Sequence, residues 1–197
     1  MLRLFMVITQ ALSVVAGCTH CAAEDLSQWV DPLIGSETSL RLSRGNVYPA
    51  AARPMGMTWW SPQTRAYSHV GPDTFLTSAL FYTYQDSTIS GLRATHQANV
   101  WIGDYGAFSL FPVTGSRAFS ARQRASRFRH ETEKAKPNVY GVYLDDYGLR
   151  VEVAPTMRAA VLRVSSADSD TVTFIVDPHP AQTLCQLLPG EGRIQAT

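Results

Sequence analysis

Two glycine-punctuated aromatic segments hold most of the residues in this chain that are equipped for chemistry. The first runs from Arg44-Gly45-Asn46-Val47-Tyr48-Pro49 to Pro54-Met55-Gly56-Met57-Thr58-Trp59-Trp60-Ser61-Pro62; the second runs from Ile89-Ser90-Gly91-Leu92-Arg93-Ala94-Thr95-His96 to Gly103-Asp104-Tyr105-Gly106. The chemistry they suit is sugar recognition. Trp59 and Trp60 offer flat apolar faces to the C–H face of a pyranose, and Asn46, Arg65, His96 and Asp104 are able to bond its hydroxyls. Gly103 and Gly106 permit a tight loop that carries Asp104 and Tyr105 outward. Each feature also has a packing explanation. Adjacent tryptophans on a strand point to opposite faces, so at least one of them belongs to the core. His96 serves equally well as a core histidine bonded to backbone, and the Gly103–Gly106 loop as a bend between strands.

The elements that must position these residues read as strands. Gly141-Val142-Tyr143-Leu144 and Val151-Glu152-Val153-Ala154 predict a hairpin with its turn at Asp146-Tyr147-Gly148. Ala160-Val161-Leu162-Arg163-Val164 and Thr171-Val172-Thr173-Phe174-Ile175-Val176 predict a second, turning at Asp168-Ser169-Asp170. Ala79-Leu80-Phe81-Tyr82-Thr83-Tyr84 and Ala107-Phe108-Ser109-Leu110-Phe111-Pro112 are further β-prone runs. No segment beyond the amino terminus has a helical period. The expectation is an all-β chain, an antiparallel β-sandwich.

Several blocks in order resemble the start of the glycoside hydrolase family 92 exo-α-mannosidases. They are Trp29-Val30-Asp31-Pro32-Leu33-Ile34-Gly35, then Gly45–Pro49, Pro54–Met57 with Ser61-Pro62, Gly91–His96 and Gly103–Gly106. Phe111-Pro112-Val113-Thr114-Gly115 and His130-Glu131-Thr132-Glu133-Lys134-Ala135-Lys136-Pro137, followed by Tyr140 and Tyr143, continue the likeness. The resemblance implies an amino-terminal β-sandwich that closes one side of a cleft and contacts a mannose-containing glycan. It also implies an inverting reaction whose acid, base and Ca²⁺ ligands lie in a following (α/α)6 helical barrel, absent from these 197 residues. The candidate substrate contacts are Trp59, Trp60, Arg65, His96, Asp104 and Tyr105. Ala94 stands where the family pattern has a histidine, and Ala160 and Leu162 stand where it has glycine and histidine.

The chain's own carboxylates do not suggest a catalytic pair. Inversion requires two carboxyl groups roughly 6.5–9.5 Å apart with a water between them. Glu131 and Glu133 are expected as surface partners of Arg129 and Lys134, and Asp145 and Asp146 as turn formers. No catalytic residue is assigned here.

Composition excludes other classes. Apolar residues at 45% and charged residues at 17% suit a domain with a core, and a net charge of +1 gives no pull toward nucleic acid. The arginines from Arg117 to Arg129 are followed by Glu131 and Glu133, and are expected on a solvated loop or edge strand. Met1-Leu2-Arg3 and the apolar run Leu4–Ala16 form a signal of export length. Val15-Ala16-Gly17-Cys18 resembles a lipoprotein box with Cys18 as the acylated residue, and cleavage near Cys21-Ala22-Ala23 is the alternative. The expected organisation is a signal over residues 1–23 and a partial sandwich over 24–197, exported to a bacterial envelope, periplasm or medium, with a membrane link only through lipid. Cys18-Thr19-His20-Cys21 lacks the second ligand pair a zinc site needs. Two alternatives to the mannosidase domain remain at this point: a stand-alone carbohydrate-binding sandwich and a purely structural one.

Overall fold

A computed structural model describes residues 25–37, 47–64, 82–96, 106, 108–115 and 120–177, together with the backbone of 178, 185–188 and 193–196. Two antiparallel sheets dominate it. The first contains β1 (Ala51–Ala52), β2 (Trp59–Gln63), β4 (Gly91–Thr95), β5 (Phe108–Val113) and β11 (Thr173–Pro178), in that order across the sheet. The second runs β10 (Ala160–Ser166), β9 (Leu149–Pro155), β8 (Val139–Leu144), β7 (Lys134–Lys136). Two ribbons complete the strands, β3 (Thr88–Ile89) with β6 (Ser126–Arg127) and β12 (Cys185–Leu188) with β13 (Arg193–Ala196).

The pattern of side chains explains the stacking. Along β9 the buried Leu149, Val151 and Val153 alternate with Arg150, Glu152 and Ala154, and Tyr140, Val142 and Leu144 do the same along β8. This period of two gives the sheet one apolar face. β1 and β2 lie against β8 and β9, and the joint core gathers Trp60, Leu92, Phe111 and Val113 with those residues. The β8–β9 hairpin turns over Asp145–Gly148, where Gly148 has φ +62°, a conformation that costs glycine nothing.

The first predicted hairpin is therefore present. The second is not: β10 pairs along its whole length with β9, from Ala160 opposite Pro155 to Ser166 opposite Leu149, whereas β11 pairs with β5 in the other sheet. The Asp168–Asp170 segment is a crossover. Ser166 Oγ accepts the N–H groups of Asp168 and Ser169, and Ser169 Oγ accepts that of Thr171, so side chains shape this passage in place of a strand ladder. Of the Ala79–Tyr84 run, the described Tyr82 and Thr83 are buried but irregular, with the Thr83 N–H donating to Thr64 Oγ1.

In the arginine-rich stretch Arg122, Arg127 and Arg129 are exposed, Arg127 on the short strand β6, and Arg124 alone departs from the expectation. A single helical turn, Ala121–Arg124, buries Arg124 to 1% exposure, and its Nη2 meets Asp177 Oδ2 at 2.8 Å. Arg127 and Arg129 pair with Asp146 and Asp145, the two hairpin-turn acids.

Candidate functional site

Trp60 and His96, two of the sugar-recognition candidates that the structure describes, line one cleft of the sandwich. Trp60 of β2, Ala94 of β4 and Phe108 of β5 are register partners across three strands. The rings of Trp60 and Phe108 stand edge to face with centroids 5.9 Å apart, and Ala94 lies between them in the row. Two large rings flanking an alanine leave a hollow. Met57 and Thr58 border it from the turn before β2, and Arg158, Ala159 and Ala160 border it from the β9–β10 hairpin. The cleft holds about 460 Å³, with Thr95 and His96 completing its lining.

Local chemistry fixes these borders. Gly56 N–H donates to Arg53 O, closing a turn with Pro54 and Met55 at its centre, and Met57 N–H donates to Met157 O, pinning that turn to the hairpin. Met55 has φ +58°, the left-handed region that L side chains avoid, and its side chain is almost wholly exposed. In the hairpin, Thr156 N–H donates to Ala159 O, and Ala159 N–H donates to Thr156 Oγ1, so Arg158 rides on a doubly braced turn. Gly106 packs onto the strand beneath: a Cβ there would sit 2.7 Å from Ala94 O. Only glycine permits that approach.

The expected contacts divide accordingly. Trp60 and His96 line the cleft. Trp59 points elsewhere, half-buried, with its Nε1 donating to Gly56 O, so the alternation expected of neighbouring tryptophans holds. His96 is exposed, and its carbonyl accepts from Tyr48 Oη at 3.3 Å, which ties the Val47–Pro49 block to the cleft mouth. Arg65, Asp104, Tyr105 and Cys18 lie outside the described residues. Phe108 and Arg158 join the site unforeseen; their signal in the sequence is only register opposite Ala94 and a place at a hairpin tip, respectively. Ala94 and Ala160, two of the three departures from the family pattern, meet here, while Leu162 packs against the core. The indole N–H of Trp60 is buried with no hydrogen-bond partner among the described residues.

A second cluster lies apart from the cleft. Glu133 is not a surface partner of Arg129 or Lys134. Its side chain is fully buried, accepting from Tyr82 Oη at 3.0 Å and Tyr140 Oη at 2.7 Å, with His130 Nδ1 2.6 Å away. Tyr84 stacks on His130 with centroids 4.0 Å apart. The reason is the one-turn 3-10 segment His130–Thr132, which leaves Glu131 exposed and turns Glu133 inward, where a continuous strand would have put both on one face. Burial, then the Glu133 charge, pushes both tyrosine hydroxyls well above their ordinary range. Among the described residues no carboxylate lines the cleft, and no three His, Cys, Asp or Glu side chains gather as a metal site.

Two packed antiparallel sheets with an aromatic-walled cleft define an all-β sandwich domain. Residues 29–195 match the glycosyl hydrolase family 92 N-terminal domain, and the chain belongs to that family. It is similar to the family GH92 inverting mannosidase BT2199 of Bacteroides thetaiotaomicron, with 38% identity and TM-score 0.65 over 77% of this chain. It is also similar to the α-mannosidase BT3965 of the same organism, solved in complex with mannoimidazole, with 28% identity and TM-score 0.61 over 78%. The GH92 glycosyl hydrolase ccman5, at 23% identity and TM-score 0.60, shares the fold. The chain spans 19–22% of the length of these solved relatives. No curated protein matches it.

Proposed function

We propose that this chain is the cleft-forming, sugar-contacting part of an exported, Ca²⁺-dependent inverting exo-α-mannosidase, acting on α-mannosides of glycans. The observation that carries this reading is the row Trp60–Ala94–Phe108: an aromatic wall and hollow that suit the apolar face of a pyranose, in a chain of this family. The relatives' descriptions as mannosidases support the choice of sugar. Acid and base are assigned, as the family resemblance implies, to a helical domain outside these residues. The Ca²⁺ ligands are assigned to that same domain, since no three His, Cys, Asp or Glu side chains gather among the described residues. Trp60 orients the ring, His96 stands at the mouth to bond a hydroxyl, and Arg65, Asp104 and Tyr105 are proposed as further contacts. Residues 1–23 are proposed as the export signal, with Cys18 as the acylated residue in the lipoprotein form.

The test compares the 197-residue chain with the complete reading frame that contains it. Release of mannose from an aryl α-mannoside by the longer protein, abolished by a chelator, with none from the chain alone, is the expected result. Hydrolysis by the chain itself would overturn the assignment of acid and base to another domain. An inactive long protein would overturn the mannosidase reading and leave a carbohydrate-binding or structural sandwich.

A further inference from the structure

We infer that two adjoining turns form a thioether site for a soft monovalent metal ion, Cu(I), held by Met55, Met57 and Met157. Apart from Met1 and Met6, which fall within the proposed export signal, these three are the methionines of the chain. Methionine is ordinarily among the buried side chains. Here all three are exposed, at 97%, 65% and 42%, and they stand on two turns that touch. Met57 N–H donates to Met157 O at 2.8 Å. A Cβ on Gly56, between the first two, would lie 3.4 Å from Thr156 O. Single apolar residues on a surface are ordinary, but every methionine of the folded part gathering at one spot is not.

Covalent geometry brings the three sulfurs within reach of one ion. Residues two apart in a chain lie at most about 7 Å from each other. Met57 and Met157 share a backbone hydrogen bond, and methionine is unbranched with three rotatable bonds. Met55 is held at φ +58°, a backbone angle that suits glycine, and strain of this kind collects where a side chain has a task. Thioether sulfur is a soft, neutral ligand that selects Cu(I) and leaves hard ions such as Ca²⁺ and Mg²⁺ to oxygen. The surroundings agree. Neither Arg53–Met57 nor Thr156–Ala159 carries an acid, and the exposed Arg53 and Arg158 stand on these same turns. Their positive charge repels a divalent ion twice as strongly as a monovalent one. Nothing in this site depends on what the cleft binds, so it stands or falls apart from the sugar reading.

The test titrates Ag(I), the redox-inert analogue of Cu(I), into the 197-residue chain with Cys18, Cys21 and Cys185 changed to serine, because thiolates would otherwise capture the ion first. Isotope labelling of the methionine methyl groups makes each sulfur its own probe in NMR, with Met55→Leu, Met57→Leu and Met157→Leu giving the assignments. The expected result is that the methyls of Met55, Met57 and Met157 shift together and saturate at one ion per chain, with Kd on the order of 1 μM or tighter, while those of Met1 and Met6 stay in place. Each leucine variant keeps the apolar bulk, removes one sulfur and should weaken binding about tenfold or more. Affinity should hold from about pH 7 to about pH 5, since a thioether has no proton to lose, whereas ligation by histidine or thiolate weakens over that range. Absence of any shift, shifts confined to one methyl, or binding that survives the leucine variants overturns the inference. Affinity that falls with pH overturns it too, by moving the ion to a histidine. Zn²⁺ that moves the same methyls as strongly as Ag(I) overturns the choice of a soft monovalent ion. If the serine chain lacks the circular dichroism of its parent, the parent with its thiols capped by N-ethylmaleimide takes its place in every arm.

Discussion

The Tyr140 hydroxyl donates to Oε1 of Glu133 across 2.7 Å, and both side chains are buried. Tyr82 serves the other oxygen, so one carboxylate ties β8 to the irregular segment before β3 and to the turn at His130. Glu133→Ala removes the acceptor from two buried hydroxyls at once and should cost about 3 kcal/mol, whereas Glu133→Gln keeps one acceptor and should cost about half that. Urea denaturation of the two variants measures the difference, and equal losses would refute the account.

The same tyrosines set an alkaline limit. Their hydroxyls stay protonated in the folded chain well above the range near 10 where tyrosine ordinarily ionises. The unfolded chain therefore binds fewer protons once the pH passes about 10, and stability present below that point is lost as pH rises above it. Two such groups give a slope of about 2.7 kcal/mol per pH unit, and Tyr82→Phe should halve it. Denaturation midpoints followed from neutral to strongly alkaline pH test the slope.

Removing either member of the Arg124–Asp177 pair should not be equivalent. Arg124 is 1% exposed, while the Asp177 side chain is 46% exposed. Asp177→Ala takes the carboxylate away from a buried cation and should cost about 3 kcal/mol. Arg124→Met leaves an acid that water can solvate and should cost about 1–2 kcal/mol. Thermal unfolding that ranks the two in the opposite order would contradict this.

The turn before β2 holds strain and close packing side by side. Met55→Gly relieves the left-handed backbone at φ +58° and should raise stability by about 0.5–1 kcal/mol. Gly56→Ala should lower it by about 1–3 kcal/mol, because the added carbon would lie 2.9 Å from Arg53 O. Loss of stability in both variants would mean that the Met55 side chain is needed for packing.

Much of this architecture was legible from alternation and turn chemistry. β8 and β9 announce themselves because Val142, Leu144, Val151 and Val153 follow a period of two around an Asp-Tyr-Gly turn. The partner of β10 was not legible, since a strand followed closely by another strand looks like a hairpin whether or not the chain changes sheets. Glu133 was misread for a related reason: between Arg129 and Lys134 it resembles a surface acid, and its burial follows from a single 3-10 turn that leaves no mark in composition. At the cleft, Trp60 and His96 stood out by residue type. Ala94, Phe108 and Ala160 did not, because what they contribute is register and absent bulk.

The change of sheet between β10 and β11 matters for how the chain is made. Between Val113 and its partner Thr173 the ribosome delivers the entire opposing sheet, β7 to β10. Until Thr173–Pro178 emerges, Phe108–Val113 is an open edge, interrupted in its donors only by Pro112. A nascent chain in that interval offers its neighbours on a polysome the same ladder that β11 will later occupy. Closure is then the last pairing of that sheet and the most non-local of its ladders, so changes in β11 should first alter the yield of soluble protein during synthesis, before any shift in the melting of chains already folded.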